Sequence, residues 1–325
     1  MPRLLDSLSI ERDLMRRNRS RCVSIVSWAV IAVFLGTGVL LAGESTTQEP
    51  PPLPLHTIEG VGGRVLTPSA KLTNPPAEGD LVRKPPGSLP CAMIGHEDLQ
   101  VLAISETIGR LELSYALNRF SLDDFDRDVR NTLGVDLTDN EIYLHHLNAR
   151  VNLLRENACG LDWMPAITAG AHYKYNHDID KINRDLGHAL ELFDYERNEG
   201  FDFTLTGTKT ITALPRPVIV SLGARLSKAA QFGLLGFSDD HLLTFEGNIG
   251  TLITDRIVLG AEYRQKGEAL AEIGDLVQDE DSWWDVHAAY ILNNNAEFYA
   301  VAGDAGAVLN HSDEFFFGVV FKQEF

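Results

Sequence analysis

The sequence predicts an all-β fold, an antiparallel up-and-down transmembrane β-barrel of about twelve strands with short helices in its long outer loops. Three observations predict it. Segments of alternating apolar and polar residues recur along the chain. The spacers between them run alternately long and short, as long outer loops and short periplasmic turns require. The last segment, FFFGVVFKQEF (315–325), alternates and closes on Phe325, an aromatic end that serves as the insertion signal for the barrel-insertion machinery.

The chain has 325 residues and a net charge of −18. Residues 23–42, VSIVSWAVIAVFLGTGVLLA, form its long apolar run, with arginines before it and Ala42 and Gly43 closing it. That order predicts a signal peptide over 1–43 and export to the outer membrane. The alternative is an uncleaved anchor, since about 20 apolar residues can span a bilayer. Met15 competes with Met1 as the true start, because MRRNRSR makes a more ordinary basic region. The six arginines and three acids of 1–43 carry +3, which leaves −21 for the remainder. So acidic a chain excludes nucleic acid as a partner, because phosphate is repelled.

Residues 44–56 contain a proline run and read as an extended linker. The barrel is expected over 57–325. Its strands are expected near 57–67, 99–107, 110–120, 142–154, 164–176, 201–211, 217–227, 241–252, 257–266, 282–292, 296–303 and 315–325. Segment 110–120 shows the pattern well: Leu111, Leu113, Tyr115 and Leu117 point one way, Glu112, Ser114, Ala116 and Asn118 the other. The spacer 68–98 is then the first outer loop. An even strand number puts both ends of the barrel in the periplasm. Tyr143, Tyr173, Tyr175, Phe201, Tyr263, Trp284 and Phe315 fall on the outward face near the outer rim, where an aromatic girdle belongs. Outward charges, Arg119, His145 and Lys209, lie toward strand ends.

Three long loops carry helical spacing. They are 121–133 (Leu122, Phe125, Val129, Leu133, with Ser121 as cap), 179–195 (Ile179, Ile182, Leu186, Leu190, Phe193) and 267–278 (Leu270, Ile273, Val277). These predict short helices that cap the outer mouth or fold into it.

At this point a resemblance enters. TIEGVGGRVLTPSA (57–70), FGLLGF (232–237), GAEYRQK (260–266), WWDVHAAY (283–290) and the terminal strand resemble a bacterial family, domain of unknown function 3034. It covers about 57–325, with 71–97 as a Pro/Gly-rich insertion. The resemblance implies an outer-membrane barrel and supplies no activity and no site residues.

No catalytic residue, cofactor or metal site is expected. The nucleophile elbow Gly-x-Ser-x-Gly is missing. An outer-membrane hydrolase would need a rim histidine, His172, His177, His241 or His311, beside a serine or acid. Asp124, Asp126 and Asp128 alternate like calcium ligands, but Val129 and Val135 stand where that loop needs glycine and glutamate. Asp279, Glu280 and Asp281 could join ions that bridge lipopolysaccharide.

The inward face is expected to line a lumen with Glu112, Arg150, His172, Asp202, Arg225, Glu246, Glu262, Arg264, Asp285 and His287. If a hairpin closes around Thr254–Arg256, Glu246 lies opposite Arg264, either as a charged eyelet or as a mutually satisfied pair. The functional expectation is a porin-like channel for small solutes, cation-preferring from its acidic balance. The alternative is a plugged structural or ligand-binding barrel without transport. Expected partners are outer-membrane lipid and lipopolysaccharide, the insertion machinery and small solutes. Cys91 falls in the first outer loop and Cys159 in a periplasmic turn, on opposite rims, so no bond between them is expected.

Overall fold

The computed structural model describes residues 55–76, 80–267, 282–293, 295–309, 311 and 314–324. The expected signal peptide, most of the expected linker, all but the first residue of the helix expected over 267–278, the acids 279–281 and Phe325 lie outside the described residues.

Two short strands, β1 (Leu55–His56) and β2 (Gly62–Gly63), pair with each other. Twelve longer ones close a barrel in which each pairs antiparallel with its sequence neighbours and the last returns to the first. They are β3 (Pro86–Ile94), β4 (Glu97–Ile108), β5 (Leu111–Ser121), β6 (Glu141–Leu154), β7 (Ala166–Asn176) and β8 (Glu199–Ile211). They continue as β9 (Val218–Ala229), β10 (Phe237–Leu252), β11 (Ile257–Arg264), β12 (Trp283–Asn293), β13 (Ala296–Asp304) and β14 (Phe315–Glu324). Closure leaves no unpaired sheet edge, which a strand-built membrane span demands.

Side chains alternate across this wall. On β8, Phe201, Phe203 and Leu205 are exposed while Asp202, Thr204 and Thr206 are buried. Outward residues such as Leu222 (71% exposed) and Phe245 (57%) would be costly in water and are at home in lipid. The girdle aromatics stand at the loop ends of their strands, Tyr173 against Phe201 with centroids 5.2 Å apart. The outward charges are paired: Arg119 with Glu141, Lys209 with Glu156, and His145 with the Tyr115 hydroxyl.

The first expected strand is corrected. Residues 57–67 are not part of the wall; the first wall strand is β3. Every residue from Leu55 to Ala70 is buried regardless of parity, which a wall strand facing lipid on one side cannot be. Residues 55–74 lie inside the barrel as a plug. Gly60 takes φ +84°, and a Cβ there would sit 2.7 Å from the Ala116 Cβ. A Cβ on Gly63 would collide with the Thr67 carbonyl oxygen. The strand count survives because 86–94, read as loop for its prolines, pairs along β14 from Pro86↔Glu324 to Ile94↔Phe316. Its pairing with β4 skips 89–90, where Pro90 has no N–H to give. Cys91 therefore stands in a wall strand, not in an outer loop, while Cys159 lies in the β6–β7 turn; both thiols are free.

The connections 109–110, 155–165, 212–217 and 253–256 share one rim with the β12–β13 junction, the start of β3 and the end of β14. Short turns mark that rim as periplasmic. The other rim carries α1 (Asp123–Leu133) and α2 (Ile179–Asp185), which continues into a 3-10 turn, Ala189–Phe193. Ser121 does not cap α1. Glu97 at the start of β4 accepts the amides of Asp123, Asp124 and Phe125, and Ser121 donates to Glu97. The apolar faces of both helices, through Phe125, Val129, Ile179 and Ile182, join a buried cluster with Tyr195, Leu235 and Leu309 over the outer mouth.

Candidate functional site

The interior of the barrel is organised around the plug. All ten residues read from sequence as inward are buried. Glu112 accepts the amides of Gly62 and Thr73, and Arg150 donates to the Gly62 carbonyl (2.8 Å) and to that of Ser69. Glu262 accepts from the amides of Val65, Leu66 and Thr67 and from the Thr67 hydroxyl. A carboxylate collecting successive backbone N–H groups holds that turn by charge-assisted hydrogen bonds.

The densest contact is at the plug tip. Glu59 meets Lys174 at 2.7 Å, Arg225 at 2.9 Å and Arg264 at 3.0 Å. Those cations stand on β7, β9 and β11. From the strands between and beside them, Asp202 of β8 holds Lys174 and Arg225, and Glu246 of β10 holds Arg225. Burial alone would raise the Glu59 carboxyl, but Arg225, Arg264 and Lys174 overturn that and hold it well below the usual carboxylate range. The register places Glu246 directly opposite Arg264. The pair closes on Glu59 and frames no aperture.

His172 bonds Asn148 (2.9 Å) and Thr204 (2.8 Å), and Asn148 in turn donates to the Glu59 carbonyl. Asp285 bonds His287 at 2.9 Å. With Glu262 these two bring one ligand atom each within 4.8 Å, a spacing that would suit a cation. Both Glu262 oxygens are already engaged by the plug backbone, so the trio reads first as the anchor of 65–67.

The opposite arc of the interior is apolar. Ile58, Val65 and Leu66 of the plug share a cavity with Ile94, Leu99, Trp283, Val301, Phe316 and Val320. At its periplasmic side His56 bonds Ser88 (3.0 Å) and Ser105 (2.7 Å). Burial, with Lys322 nearby, pushes the His56 imidazole down to about 3.

Of the rim histidines, His177 approaches Asp178 at 4.0 Å and His311 approaches Asp128 at 3.5 Å; His172 is inside the barrel. Asp124 and Asp126, read as a failed calcium pattern, pair with arginines of their own helix. Sequence reasoning missed Lys174 and Glu59. Lys174 was readable, since it shares parity with His172. Glu59 was hidden by the reading of 57–67 as wall.

Residues 54–315 match the family described as protein of unknown function (DUF3034), and the chain belongs to that family. No curated protein matches the sequence. Among solved structures, a KdgM porin is similar at 13% identity and a TM-score of 0.44, covering 74% of this chain and 99% of the porin. The Acinetobacter baumannii outer membrane protein Omp33 gives 9% identity and 0.41, covering 75% and 99%. Outer membrane phospholipase A from Escherichia coli gives 9% and 0.36, covering 75% and 99%. These likenesses concern the fold.

Proposed function

We propose that this member of the family is a porin-like outer-membrane barrel held closed at rest by its own residues 55–74, and that small solutes pass only when the plug withdraws. One observation carries this reading: the plug occupies the interior and is bonded to wall strands β5, β7, β9 and β11 through Glu59, Gly62, 65–67 and Thr73. An open lumen would also put Leu99, Val301, Phe316 and Val320 in water, each at a cost of roughly 1.5–3 kcal/mol.

The wall interior favours cations once emptied. Its buried carboxylates, Glu112, Asp202, Glu246, Glu262, Asp285, Glu297 and Glu324, outnumber Arg150, Lys174, Arg225, Arg264 and Lys322.

Planar-bilayer recording of the refolded mature chain, shown folded by a heat-dependent gel shift, tests the reading. The full chain gives no sustained steps, and deletion of 55–76 produces them with a preference for potassium over chloride. A deletion variant that folds and stays silent would favour the second reading, a structural or ligand-binding barrel without transport.

A further inference from the structure

The plug tip occupies a site that the wall builds without it. Lys174, Arg225 and Arg264 are wall residues, and the groups that hold them, Asp202 and Glu246, are wall residues too. Withdrawing Glu59 leaves three positive and two negative side chains, so one buried positive charge loses its partner. Leaving a buried charge unpaired is strongly unfavourable. The empty site therefore demands an anion.

The geometry selects the kind of anion. The two Glu59 oxygens receive five N–H contacts between 2.7 and 3.4 Å: one from Lys174, two from Arg225 and two from Arg264. Two guanidinium forks and one ammonium around two oxygens match a carboxylate.

A small cleft, with about 30 Å³ of free space, is lined by the same three cations and by Lys266, Ser227 and Gln231. No carboxylate is among its described lining residues. Beside the cations lies an apolar shelf. The Phe232 ring sits 4.7 Å from the Lys174 ammonium and 4.0 Å from the Arg264 guanidinium, and it stacks on Trp283 at 5.0 Å. Phe232 holds φ +73° to reach that place, in the turn between β9 and β10. Phe232 thus packs the cation cluster against Trp283.

We propose that Lys174, Arg225 and Arg264 form a receptor for small carboxylate-bearing solutes, which the chain occupies at rest with Glu59. The inference rests on the reading of 55–74 as a plug. A solute carboxylate takes over the contacts of Glu59, and the plug tip loses its anchor. Because solute and Glu59 compete for one site, the solute stabilises only the withdrawn state and shifts the population toward it.

The test uses the full mature chain in detergent, with D-glucuronate as probe and D-glucose as its neutral control, read by calorimetry. Glu59→Gln removes the competing charge and leaves the receptor. It is expected to bind glucuronate at least tenfold tighter than the unsubstituted chain, with no heat from glucose. Adding Arg264→Gln abolishes that gain. Equal glucuronate affinity with and without Glu59→Gln, or glucose binding as tightly as glucuronate, overturns the proposal. Should Glu59→Gln fail the heat-dependent gel shift, the unsubstituted chain decides: glucuronate, and not glucose, must speed amide exchange over 57–67, and no acceleration overturns it. Conducting steps from the plug deletion, without any glucuronate heat from the Glu59→Gln chain, would remove the receptor and keep the plug. Tight glucuronate binding with a silent deletion variant would do the reverse.

Discussion

The two arcs of the barrel interior hold the same twenty-residue segment by different physics. From β7 to β11 the wall meets the plug with ions, Lys174, Arg225 and Arg264 against Glu59. Along β12 to β14, β3 and β4 it meets it with apolar side chains, such as Val301, Phe316 and Leu99 against Ile58, Val65 and Leu66. The apolar contacts of the second arc supply area removed from water and are themselves indifferent to pH and salt, His56 at their edge being the exception. The charged arc gains little net energy, because desolvation offsets attraction, but it breaks sharply when one partner is lost. The difference teaches which arc can serve as a latch and which as a seat.

The largest effect expected comes from breaking the latch. Glu59→Ala strands three buried cations against two acids, and docking of the plug should weaken by about 3–5 kcal/mol. Bilayer steps should appear while the heat-dependent gel shift, a property of the wall, persists. Loss of that shift would mean that the wall depends on the plug for folding.

Trimming the seat should cost somewhat less. Leu66→Ala removes a buried side chain (3% exposed) from the apolar cavity, at about 2–4 kcal/mol. It should raise amide exchange over 62–70 and leave the pH response as it was. An altered pH response would show that the two arcs are coupled.

The smallest effect expected is graded with pH. The buried His56 has its proton affinity pushed down to about 3 in the docked state, so the withdrawn state binds the proton more readily. Docking stability from His56 is thus complete above about 6.5 and declines as pH falls toward 3. Glu59, held below its ordinary value, loses its contribution only as pH falls below the usual carboxylate range. Acidification should therefore promote opening in two stages, and His56→Asn should remove the first. Open probability recorded from pH 7 down to about 3 checks the order; a rise with increasing pH would contradict it.

Much of this was legible in the sequence because wall strands obey parity. Leu111 to Asn118 assigns each side chain to lipid or interior without reference to any partner, and the 253–256 turn fixes Glu246 opposite Arg264. The plug obeys no such rule. Thr57–Val65 alternates well enough to pass for a strand, yet its order comes from single contacts spanning much of the chain, such as Glu262 with Val65. Gly60, Gly62 and Gly63, clustered within four positions, were the signal against a wall strand, since glycine marks close backbone approach. Conversely, Pro86 and Pro90 argued against β3, and only its pairing along β14 overrides them. The inward acids and bases were visible, but not the carboxylate they enclose, because its segment was assigned to the wall.

The central claim, that 55–74 is a packed plug and not a free linker, is tested most directly by amide hydrogen exchange on the refolded mature chain. Peptides over 57–73 should exchange as slowly as peptides of β6 and β8, since the amides of Gly62, Val65, Thr67, Ala70 and Thr73 are buried against wall side chains. Exchange of that segment within seconds, beside a protected wall, would contradict the account.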